Sequence, residues 1–433
     1  MINVTFSAPD VTTFCGLDTL GLEVTGQQVA SSLVTLECQI VEPDNWCHRC
    51  GCEGIHYDTV SRALAHAPIG WTSVKLLVRV RRYRCVGCGH VWRQESTLAA
   101  TPRAKISRAG LQWGLAGLVM EHLSVSRVAA GLGVSWRTAN TAILEEGRQV
   151  LINDPNRFDG VRVIGVDEHC WRHTNTGDKY VTVIIDLTPV RNKTGPARLL
   201  DMVDGRSKQV FSRWLQQQTQ EWRDGIEVVA MDGFTGFKTA SKENLPGAVE
   251  VMDPFHVVQL AGDALDRCRQ RVQQETMGHR GRTGDPLYAI RRVLRTGEDL
   301  LTEKQRTRLD AVFADPAHAD VHRIWKAYQQ VVAAYREPLQ GAGRIRLRKL
   351  IDVVGENVPP VISELRRLGR TLTRRRDDIL AYFDHPRTSN GPTEAINGRL
   401  EHLRGIALGF RNITNYVARA LLESGGFRPQ FHS

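Results

Sequence analysis

The sequence predicts an α/β protein in which a mixed sheet follows a cysteine-bearing module and a helical module. Two Cys-x-x-Cys pairs lie between residues 45 and 95, and a helical apolar periodicity runs from 107 to about 151. Five strand-like runs alternate with helical stretches from 161 to 252, and a long polar helical region follows. The 433 residues are enough for two to four domains with cores of their own.

The composition and charge narrow the class of protein. Hydrophobic residues make up 42% and charged residues 24%, as in ordinary globular chains. Residues 1–18 lack the pattern of a signal peptide, and the most apolar helical stretch, 109–123, is too short to span a bilayer. We therefore expect a cytoplasmic protein with no membrane partner. The net charge of +10 favours an anionic partner such as nucleic acid.

The cysteines predict a structural metal site. Nine cysteines in a chain without an export signal argue against disulfides. Two short knuckles can each place two thiolates on one tetrahedral Zn²⁺ ion. The predicted ligands of this structural Zn²⁺ are Cys47, Cys50, Cys85 and Cys88. Substitute ligands remain open at Cys52, His48 and His56.

Residues 73–85 alternate apolar and basic side chains, which predicts a strand with one cationic face. Residues 72–108 carry nine basic residues and one acidic residue, so their net charge is nine minus one, or +8. We interpret this region as a phosphate-contact surface, although a solvated strand face would show the same pattern. The arginines expected to bind DNA are Arg79, Arg81, Arg82 and Arg84.

Residues 126–143 predict two short helices joined by a tight turn. Ala129 is small where the helices must cross, Gly133 suits the turn, and Ser135 is a good N-cap for the second helix. Any two short helices can produce this pattern, so its position beside the knuckles and the basic strand adds weight. The DNA-contacting face of this helix-turn-helix is expected to expose Trp136, Arg137, Asn140 and Thr141.

The third part of the chain predicts the order β-β-β-α-β-α-β, which resembles an RNase H-like core. A linker is expected at 154–160. The expected strands are 161–166, 179–187, 197–203, 226–231 and 248–252, and the expected helices are 207–222 and 234–244. Such alternation buries a mixed sheet between helices.

Three acidic residues form the candidate catalytic group. Asp167 is expected to end the first core strand and Asp232 the fourth, and these strands lie side by side in such a fold. Glu394 begins the last helical region, which can pack on the sheet edge. Their carboxylates are the hard ligands that Mg²⁺ (or Mn²⁺) requires. A pair of such ions would activate water or a 3′-hydroxyl and stabilise the leaving oxygen.

Other acidic residues compete for these positions. Strand alternation should turn Glu168 away from the site. Glu401 lies about two turns beyond Glu394 and ranks second as the third acid. Rivals at or near strand ends are Asp186, Asp201 and Asp204.

Three further residues are candidates to support the site as a second layer around the acids. Asp253 and His256 close the fifth strand, where a plain turn with a satisfied histidine is an equal alternative. Asn397 lies about one turn after Glu394 and could orient it or contact phosphate. A run of arginines at 366–376 could follow DNA or could be a solvated face.

The combination of motifs resembles the ISL3 family of insertion-sequence transposases. The resemblance rests on the paired cysteines, the two-helix pattern and the segments GVDEH, MDGF, DPFH and SNGPTEAINGRLEHLRGIALGFRN. It implies a DDE core with a helical insertion between Asp232 and Glu394, and Mg²⁺-dependent DNA strand cleavage and transfer. It also implies binding of double-stranded DNA (terminal inverted repeats and target) by a homodimer or larger assembly in the bacterial cytoplasm, on the nucleoid. One departure is Glu401, where the family's tail is expected to carry a basic residue.

The predicted organisation has five segments. They are a zinc-ribbon DNA-binding domain (1–100), a helix-turn-helix domain (101–155), a first part of the RNase H-like core (156–260), a helical insertion (261–387) and a last part of the core (388–433). The function predicted from this organisation is DNA transposition. The alternatives are a DNA-binding repressor or inactive transposase remnant without chemistry, and a nuclease that cuts without joining.

Overall fold

The computed structural model describes residues 10–172, 179–356 and 362–431. The chain forms two compact units: one holds the residues up to Arg157 together with those from Gly405 onward, and the other is Phe158–Arg404. The boundary between them falls inside the expected linker, 154–160. The division also places the residues after Gly405 in the first unit, whereas the sequence placed the whole segment 388–433 with the core.

The first unit contains a five-stranded sheet. Its strands are β1 (Leu22–Val29), β2 (Leu33–Ile40), β3 (Gly54–Ile69), β4 (Thr72–Cys85) and β5 (Val91–Arg93). Their order is β1-β2-β4-β3, with β5 beside β4, and only β2 and β4 run parallel among these described pairs. The expected strand at 73–85 is confirmed. The sequence did not predict β1 or β3, because their polar residues hide the pairing that forms them.

The basic strand β4 changes its buried face along its length. Buried side chains occupy even positions up to Val80 and odd positions from Tyr83. The first set packs in the main core of the sheet, and the second packs beside the cysteine knuckles. The expectation of one cationic face was therefore wrong, because successive strand residues alternate between faces. Arg79 and Arg81 lie on one face, and Arg82 and Arg84 lie on the other.

Four helices accompany this sheet, and they are α1 (Val11–Phe14), α2 (Arg108–Val119), α3 (Val125–Leu132) and α4 (Trp136–Gly147). A single π-helical turn, Arg148–Ile152, continues α4. Gly133 ends α3 with a left-handed φ of 64°, which a glycine adopts without strain. Ser135 then caps α4 by accepting a hydrogen bond from the Thr138 N–H. The expected turn and cap between the two helices are confirmed.

The second unit contains a mixed sheet with strands β6 (Val163–Cys170), β7 (Tyr180–Asp186), β8 (Arg198–Asp204), β9 (Val228–Met231) and β10 (Val249–Met252). Their order is β8-β7-β6-β9-β10. The first three are antiparallel, and β9 and β10 run parallel to β6. All five expected strands are confirmed, and β6 extends four residues beyond its expected end.

The helices between these strands are α5 (Thr188–Asn192), α6 (Lys208–Gln217), α7 (Gln220–Asp224) and α8 (Thr235–Asn244). The single helix expected at 207–222 is two helices, because Gln218 is extended and Thr219 caps a new helix. Phe211 and Trp214 of α6 are fully buried against the sheet. The expected layering of helices on a sheet is thus present on this side.

The helical region consists of α9 (Pro254–Met277), α10 (Pro286–Ala289), α11 (Arg291–Leu294), α12 (Glu303–Phe313), α13 (Ala319–Arg336), α14 (Gln340–Glu356), α15 (Ser363–Arg374) and α16 (Arg376–Asp384). These helices share one apolar core. Two more helices follow, α17 (Gly391–Ile406) and α18 (Ile413–Ser424). Among the described residues, none of the helices combines the length and apolar character of a membrane span.

Helix α18 returns to the first unit and completes its helical core. Leu422 is buried there together with Ala418 and Phe427. A β-carbon at Gly147 would lie 2.9 Å from the end of the Leu422 side chain, so a larger residue on α4 would have to displace that side chain. This contact is the physical reason that the end of the chain belongs with the first unit.

Helices α14 and α15 cross at very short range. A β-carbon at Gly369 would lie 2.0 Å from the carbonyl oxygen of Val354, a distance that no rotamer change can relieve. Alanine is intrinsically better than glycine in a helix by about 1 kcal/mol, so only the crossing explains the glycine.

We expect Gly369→Ala to lower the free energy of unfolding of the second unit by about 1–3 kcal/mol, because the overpacked helices must separate. Thermal and denaturant unfolding would measure this. Gly398→Ala in α17 is the matched control, since nothing lies within 4 Å of its β-carbon. That variant should be unchanged or slightly more stable, and equal effects of the two substitutions would contradict the crossing.

Candidate functional site

Asp167 and Asp232 emerge side by side from two parallel strands. Val166 of β6 pairs with Met231 of β9, and the next residue of each strand is an aspartate. Asp232 follows the end of β9, as expected. Asp167 lies inside β6, which continues along β7 to Cys170, so the expectation that it ends its strand was wrong. The continued pairing with β7 holds the Asp167 backbone more firmly than a strand end would.

The environment of Asp167 disfavours its charge. Loss of hydration, opposed by a hydrogen bond from the Glu168 N–H and helped by the charges of Asp232, Glu168 and Glu394, raises the pKa of Asp167 to about 7. That N–H donates to Oδ1 at 2.8 Å, and the Asn397 side-chain amide donates to Oδ2 at 3.0 Å. The charges of Asp232 and Glu394 therefore both act on Asp167.

Asp232 begins a tight turn. Its Oδ1 accepts a hydrogen bond from the Phe234 N–H at 2.8 Å. His256 packs against the turn so closely that a β-carbon at Gly233 would lie 2.5 Å from the His256 Nε2 atom. The histidine of the DPFH segment therefore lies next to the residue that follows Asp232.

Glu394 is positioned by a short chain of hydrogen bonds. The Asn390 N–H donates to Asp253 Oδ1 at 2.7 Å, and the Glu394 N–H donates to the Asn390 carbonyl at 3.0 Å. Asp253 also caps α9 by accepting from the His256 N–H at 3.2 Å. One buried carboxylate thus ties the start of α9 to the first turn of α17. Burial raises the pKa of Asp253, while the N–H donors from Asn390 and His256 oppose that rise.

The first turn of α17 lies directly on β6. A β-carbon at Gly165 would lie 2.9 Å from Thr393 Oγ1 and 2.8 Å from Ile185 Cγ1. Glycine is needed here because α17 approaches the sheet two residues before Asp167. Sequence reasoning did not identify Gly165, although a glycine inside an apolar strand is a known sign of close approach.

A buried ion network supports the Asp232 turn from the helical region. Arg375 Nη1 donates to the Gly233 carbonyl at 3.4 Å, and its Nε atom lies 2.7 Å from Asp378. Lys238 of α8 lies 2.7 Å from the other oxygen of Asp378. Because Arg375 and Asp378 are both buried, removing Asp378 would leave the Arg375 charge without its carboxylate at high cost. One arginine of the run at 366–376, Arg375, is therefore buried and supports the fold.

The competing acids are engaged elsewhere or face solvent. Glu168 pairs with Arg206 at 3.1 Å, and Glu401 pairs with Arg404 in the same helix. Asp186 pairs with Arg198 at 2.9 Å. Asp201 accepts a hydrogen bond from the Trp214 indole at 2.8 Å, and Asp204 is exposed.

The chemistry of the candidate acids fits a divalent cation. The three carboxylates are hard oxygen ligands, although in this structure their oxygens do not all lie within 4.8 Å of one another, and Glu394 is exposed to solvent. The Asn397 Oδ1 atom is buried without a hydrogen-bond partner, so an oxygen beside Asp167 is left to accept a proton donor or a cation. Burial raises the pKa of Glu394 and the charge of Asp253 raises it further, so a nearby positive charge would stabilise the ionised group.

The four predicted cysteine ligands form one cluster. In the part of the chain that the structure describes, their four sulfur atoms all lie within 4.8 Å of one another. The Sγ–Sγ distances are 3.4 Å for Cys50–Cys85, 3.5 Å for Cys50–Cys88 and 3.7 Å for Cys47–Cys88. These are close to the edge of about 3.8 Å that follows for a tetrahedral zinc–thiolate site.

Backbone N–H groups favour the thiolate forms of this cluster. The N–H groups of Cys88 and Gly87 donate to Cys85 Sγ, each at 3.3 Å, and hold the pKa of the Cys85 thiol at about 6. The alternative ligands are occupied otherwise, since His48 bonds Asp44 and His56 bonds Thr59. Cys52 lies close to Gly87 but outside the cluster.

Helix α4 exposes three of the four residues expected to contact DNA. Trp136, Arg137 and Thr141 are exposed, but Asn140 is only 9% exposed. Its expected exposure was wrong, because it lies on the stripe formed with Ala139 and Ile143 that faces the helical core. A groove of about 770 Å³ runs beside α4, and its basic lining residues are Arg103, Lys105 and Arg137.

The four strand arginines differ in their surroundings. Arg79 and Arg81 are exposed on one face of β4. Arg82 forms an ion pair with Asp58, and Arg84 lies 4.8 Å from the centre of the Tyr57 ring. The first pair is thus more open to an anionic partner than the second.

Comparisons with known proteins agree on one class. Residues 164–420, more than half of the chain, match the ISL3-type family model described as "Transposase". Transposases for insertion sequence element IS1557 from two Mycobacterium tuberculosis strains are each 26% identical over 409 residues. That alignment covers 88% of this chain and 86% of each relative.

The chain also resembles a solved structure. The Drosophila P element transposase strand transfer complex aligns with a TM-score of 0.41 and 9% identity. The alignment covers 72% of this chain and 91% of that chain.

We expect Cys85→Ser to lose the zinc bound by the purified protein, because a structural site needs all four thiolates. Metal analysis should give about one zinc ion per parent chain and much less for the variant. Cys52→Ser is the matched control and should keep its zinc. The second unit should melt unchanged in both variants, since the cluster lies in the first unit.

We expect the metal-free Asp167→Asn variant to gain stability relative to the parent as pH rises. The folded pKa of about 7 exceeds the value near 3.9 of an unfolded aspartate. The folded chain therefore holds the extra proton between these values, and the free energy of unfolding falls as pH rises through this window. The gain in Tm should be small at pH 4.5 and largest at pH 8 in chelator.

The exposed Asp377→Asn variant serves as the control for this measurement. It should show no such pH-dependent gain. A constant Tm difference for Asp167→Asn at every pH would contradict the electrostatic explanation.

Proposed function

Because this chain belongs to the ISL3 family of transposases, we propose that it is a DNA transposase whose acids Asp167, Asp232 and Glu394 cleave and join DNA strands. The observation that carries the proposal is the pairing of Val166 with Met231, which brings Asp167 and Asp232 side by side within the part of the chain that matches the transposase family model. Glu394, from a distant part of the second unit, lies near enough for its charge to act on Asp167. Like charges near enough to act on Asp167 cost stability, so their arrangement favours a role in binding cations and phosphate.

The arrangement of strands supports an RNase H-like core. Three antiparallel strands are followed by two strands parallel to the first, in the order β8-β7-β6-β9-β10. The proposed catalytic aspartates leave the two central parallel strands β6 and β9. Helices α9 to α16 would form the insertion between the second aspartate and the glutamate.

The proposed cofactor is Mg²⁺ (or Mn²⁺), held by the carboxylates of Asp167, Asp232 and Glu394. When bound, it would supply charge neutralisation at the scissile phosphate and activation of the attacking oxygen. Asp167 must lose its proton to serve as a ligand, and Asn397 orients it by donating to Oδ2.

The surrounding residues act through position. Asp253 holds the Asn390 backbone and thereby the first turn of α17, which carries Glu394. His256 packs against Gly233 and limits the movement of the Asp232 turn. Both residues of the DPFH segment therefore support the acids, and His256 has a side chain that could also reach a DNA phosphate.

We assign recognition of the terminal inverted repeats to the first unit. The two-helix motif presents Trp136, Arg137 and Thr141 for groove contacts, and Asn140 takes no part because it is buried. Arg79 and Arg81 would contact phosphates. The cysteine cluster, with zinc bound, would hold the start of β3 and the end of β4 together. Arg82 and Arg84 would contribute less, since both already have partners.

Transposition joins two transposon ends to a target duplex. A single set of three acids serves one active site, so we propose that the protein works as a homodimer or larger assembly on DNA. The ends and the target would both be double-stranded DNA.

We expect Asp232→Asn and Glu394→Gln to lower the cleavage rate by more than about 100-fold, because loss of a metal ligand should exceed the 10–100-fold cost of an outer partner. The measurement is cleavage, in Mg²⁺, of a duplex carrying the element's terminal repeat. Glu401→Gln is the matched control on the same helix and should keep its activity. Binding of the same duplex in chelator should be unchanged in all three variants.

Other results of these assays would contradict the proposed function. Equal cleavage by the parent and Asp232→Asn would remove Asp232 from the mechanism. Sequence-specific binding without cleavage by the parent would favour a repressor or an inactive transposase. Cleavage without joined products in a strand-transfer assay would favour a nuclease.

A further inference from the structure

We infer that the outer face of α15 is a second DNA-binding surface, which grips the phosphate backbone of duplex DNA through an arginine stripe. The stripe is defined here as Arg366, Arg367, Arg370 and Arg374. This inference rests on the proposed function, because it assumes that the substrate is DNA. It adds a surface in the second unit, whereas recognition of the repeats was assigned to the first.

Helix α15 separates its side chains sharply into two faces. Leu365, Leu368 and Leu372 are buried in the helical core. All members of the arginine stripe are exposed on the opposite side. They recur at spacings of three and four residues, so they form one row about 12 Å long from Arg366 to Arg374.

The charge of the stripe is not neutralised by the protein. Within the described residues, no member of the stripe has an ion pair or a side-chain hydrogen bond. The only acidic residue in the sequence of α15, Glu364, is bonded by Arg271 at 2.8 Å. Other arginines on the surface of the second unit commonly have acidic partners, as in Arg206–Glu168, Arg295–Asp266 and Arg376–Asp352.

Four like charges at helical spacing repel one another and destabilise an isolated helix. A solvated face would be served equally well by mixed charges, which cost less. An anionic partner explains the arrangement, because it would turn the mutual repulsion into attraction.

The type of cation and the shape of the row favour phosphate. All four members are arginines, whose planar guanidinium groups bind phosphate oxygens with two parallel hydrogen bonds. Duplex DNA presents one negative charge per about 1.7 Å of its axis, so a straight row about 12 Å long can meet several phosphates. No base-reading pattern is present, so the surface should bind without sequence preference.

The stripe is also held rigidly. Gly369 packs against the Val354 carbonyl of α14 on the buried side of α15. The Arg271–Glu364 pair anchors the first turn of α15 to α9. The row is therefore organised before the DNA arrives, which reduces the entropy lost on binding.

The test compares the full-length double variant Arg366→Gln/Arg370→Gln with Arg213→Gln/Arg267→Gln. The control arginines are exposed, lie on α6 and α9, and have no partners among the described residues. Glutamine preserves helix propensity, so all proteins should fold alike by circular dichroism and thermal melting. Affinity for a duplex of random sequence is measured across a series of KCl concentrations.

We expect the stripe variant to bind more weakly and to lose about 1.8 from the slope of log affinity against log salt, because each lost phosphate contact removes about 0.9. The control variant should keep the parent slope. A variant with both stripe residues changed to lysine should recover most of the slope. An unchanged slope for the glutamine variant, or an equal loss for the control, would overturn the inference.

The result is separable from failure of the proposed function. Absence of cleavage by the parent chain would contradict the proposed activity but leave the comparison of salt slopes intact. Normal cleavage by the parent chain, together with an unchanged salt slope for the stripe variant, would contradict only the proposed role of the arginine stripe. If the slope is unchanged but self-association falls, the stripe binds another copy of the chain, which also overturns the inference.

Discussion

The hydrogen bond between the Asn390 N–H and Asp253 is the constraint on which the candidate site depends. The chain leaves the sheet at the start of α9 and returns only at α17, after the whole helical region. A buried carboxylate at the departure point receives the backbone at the return point, so the two ends of this excursion are held together. Gly165 then lets α17 contact the sheet beside Asp167. Without both features, Glu394 would have no fixed relation to the aspartates.

The electrostatic interactions among the acids of the candidate site lower the stability of the fold. Asp167 is held beside two other acids, and its pKa is raised because its charged form is poorly hydrated. The ion network behind the Asp232 turn differs, because the positive charges of Arg375 and Lys238 offset the negative charge of Asp378. The protein thus satisfies its buried charges where they support the backbone and leaves them unbalanced where cations and phosphate are proposed to bind. This contrast is typical of functional sites, which give up stability for chemistry.

The first unit shows how a single strand can serve two small cores. Up to Val80, β4 buries one face in the main core of the sheet, and from Tyr83 it buries the other face beside the cysteine cluster. Among the described residues, the buried members of the second core are Cys47, Tyr83, Cys85 and Trp92 alone. So few apolar contacts supply little stability, and a bound metal ion would provide the rest. The end of β4 and the cysteine cluster therefore form one structural element.

The sequence alone determined the local elements and most of the chemistry. It predicted the five core strands, the two helices around Gly133, the cysteine cluster and the order of the acids, because periodicity, caps and ligand spacing are written in neighbouring residues. Tertiary structure decided what depends on distant partners. It buried Asn140, divided the arginines of β4 between two faces, created β3 by pairing, and placed the end of the chain in the first unit. It also brought Glu394 near enough for its charge to act on Asp167, whereas Glu401 pairs with Arg404 in its own helix, since only the folded chain brings together residues so far apart in sequence.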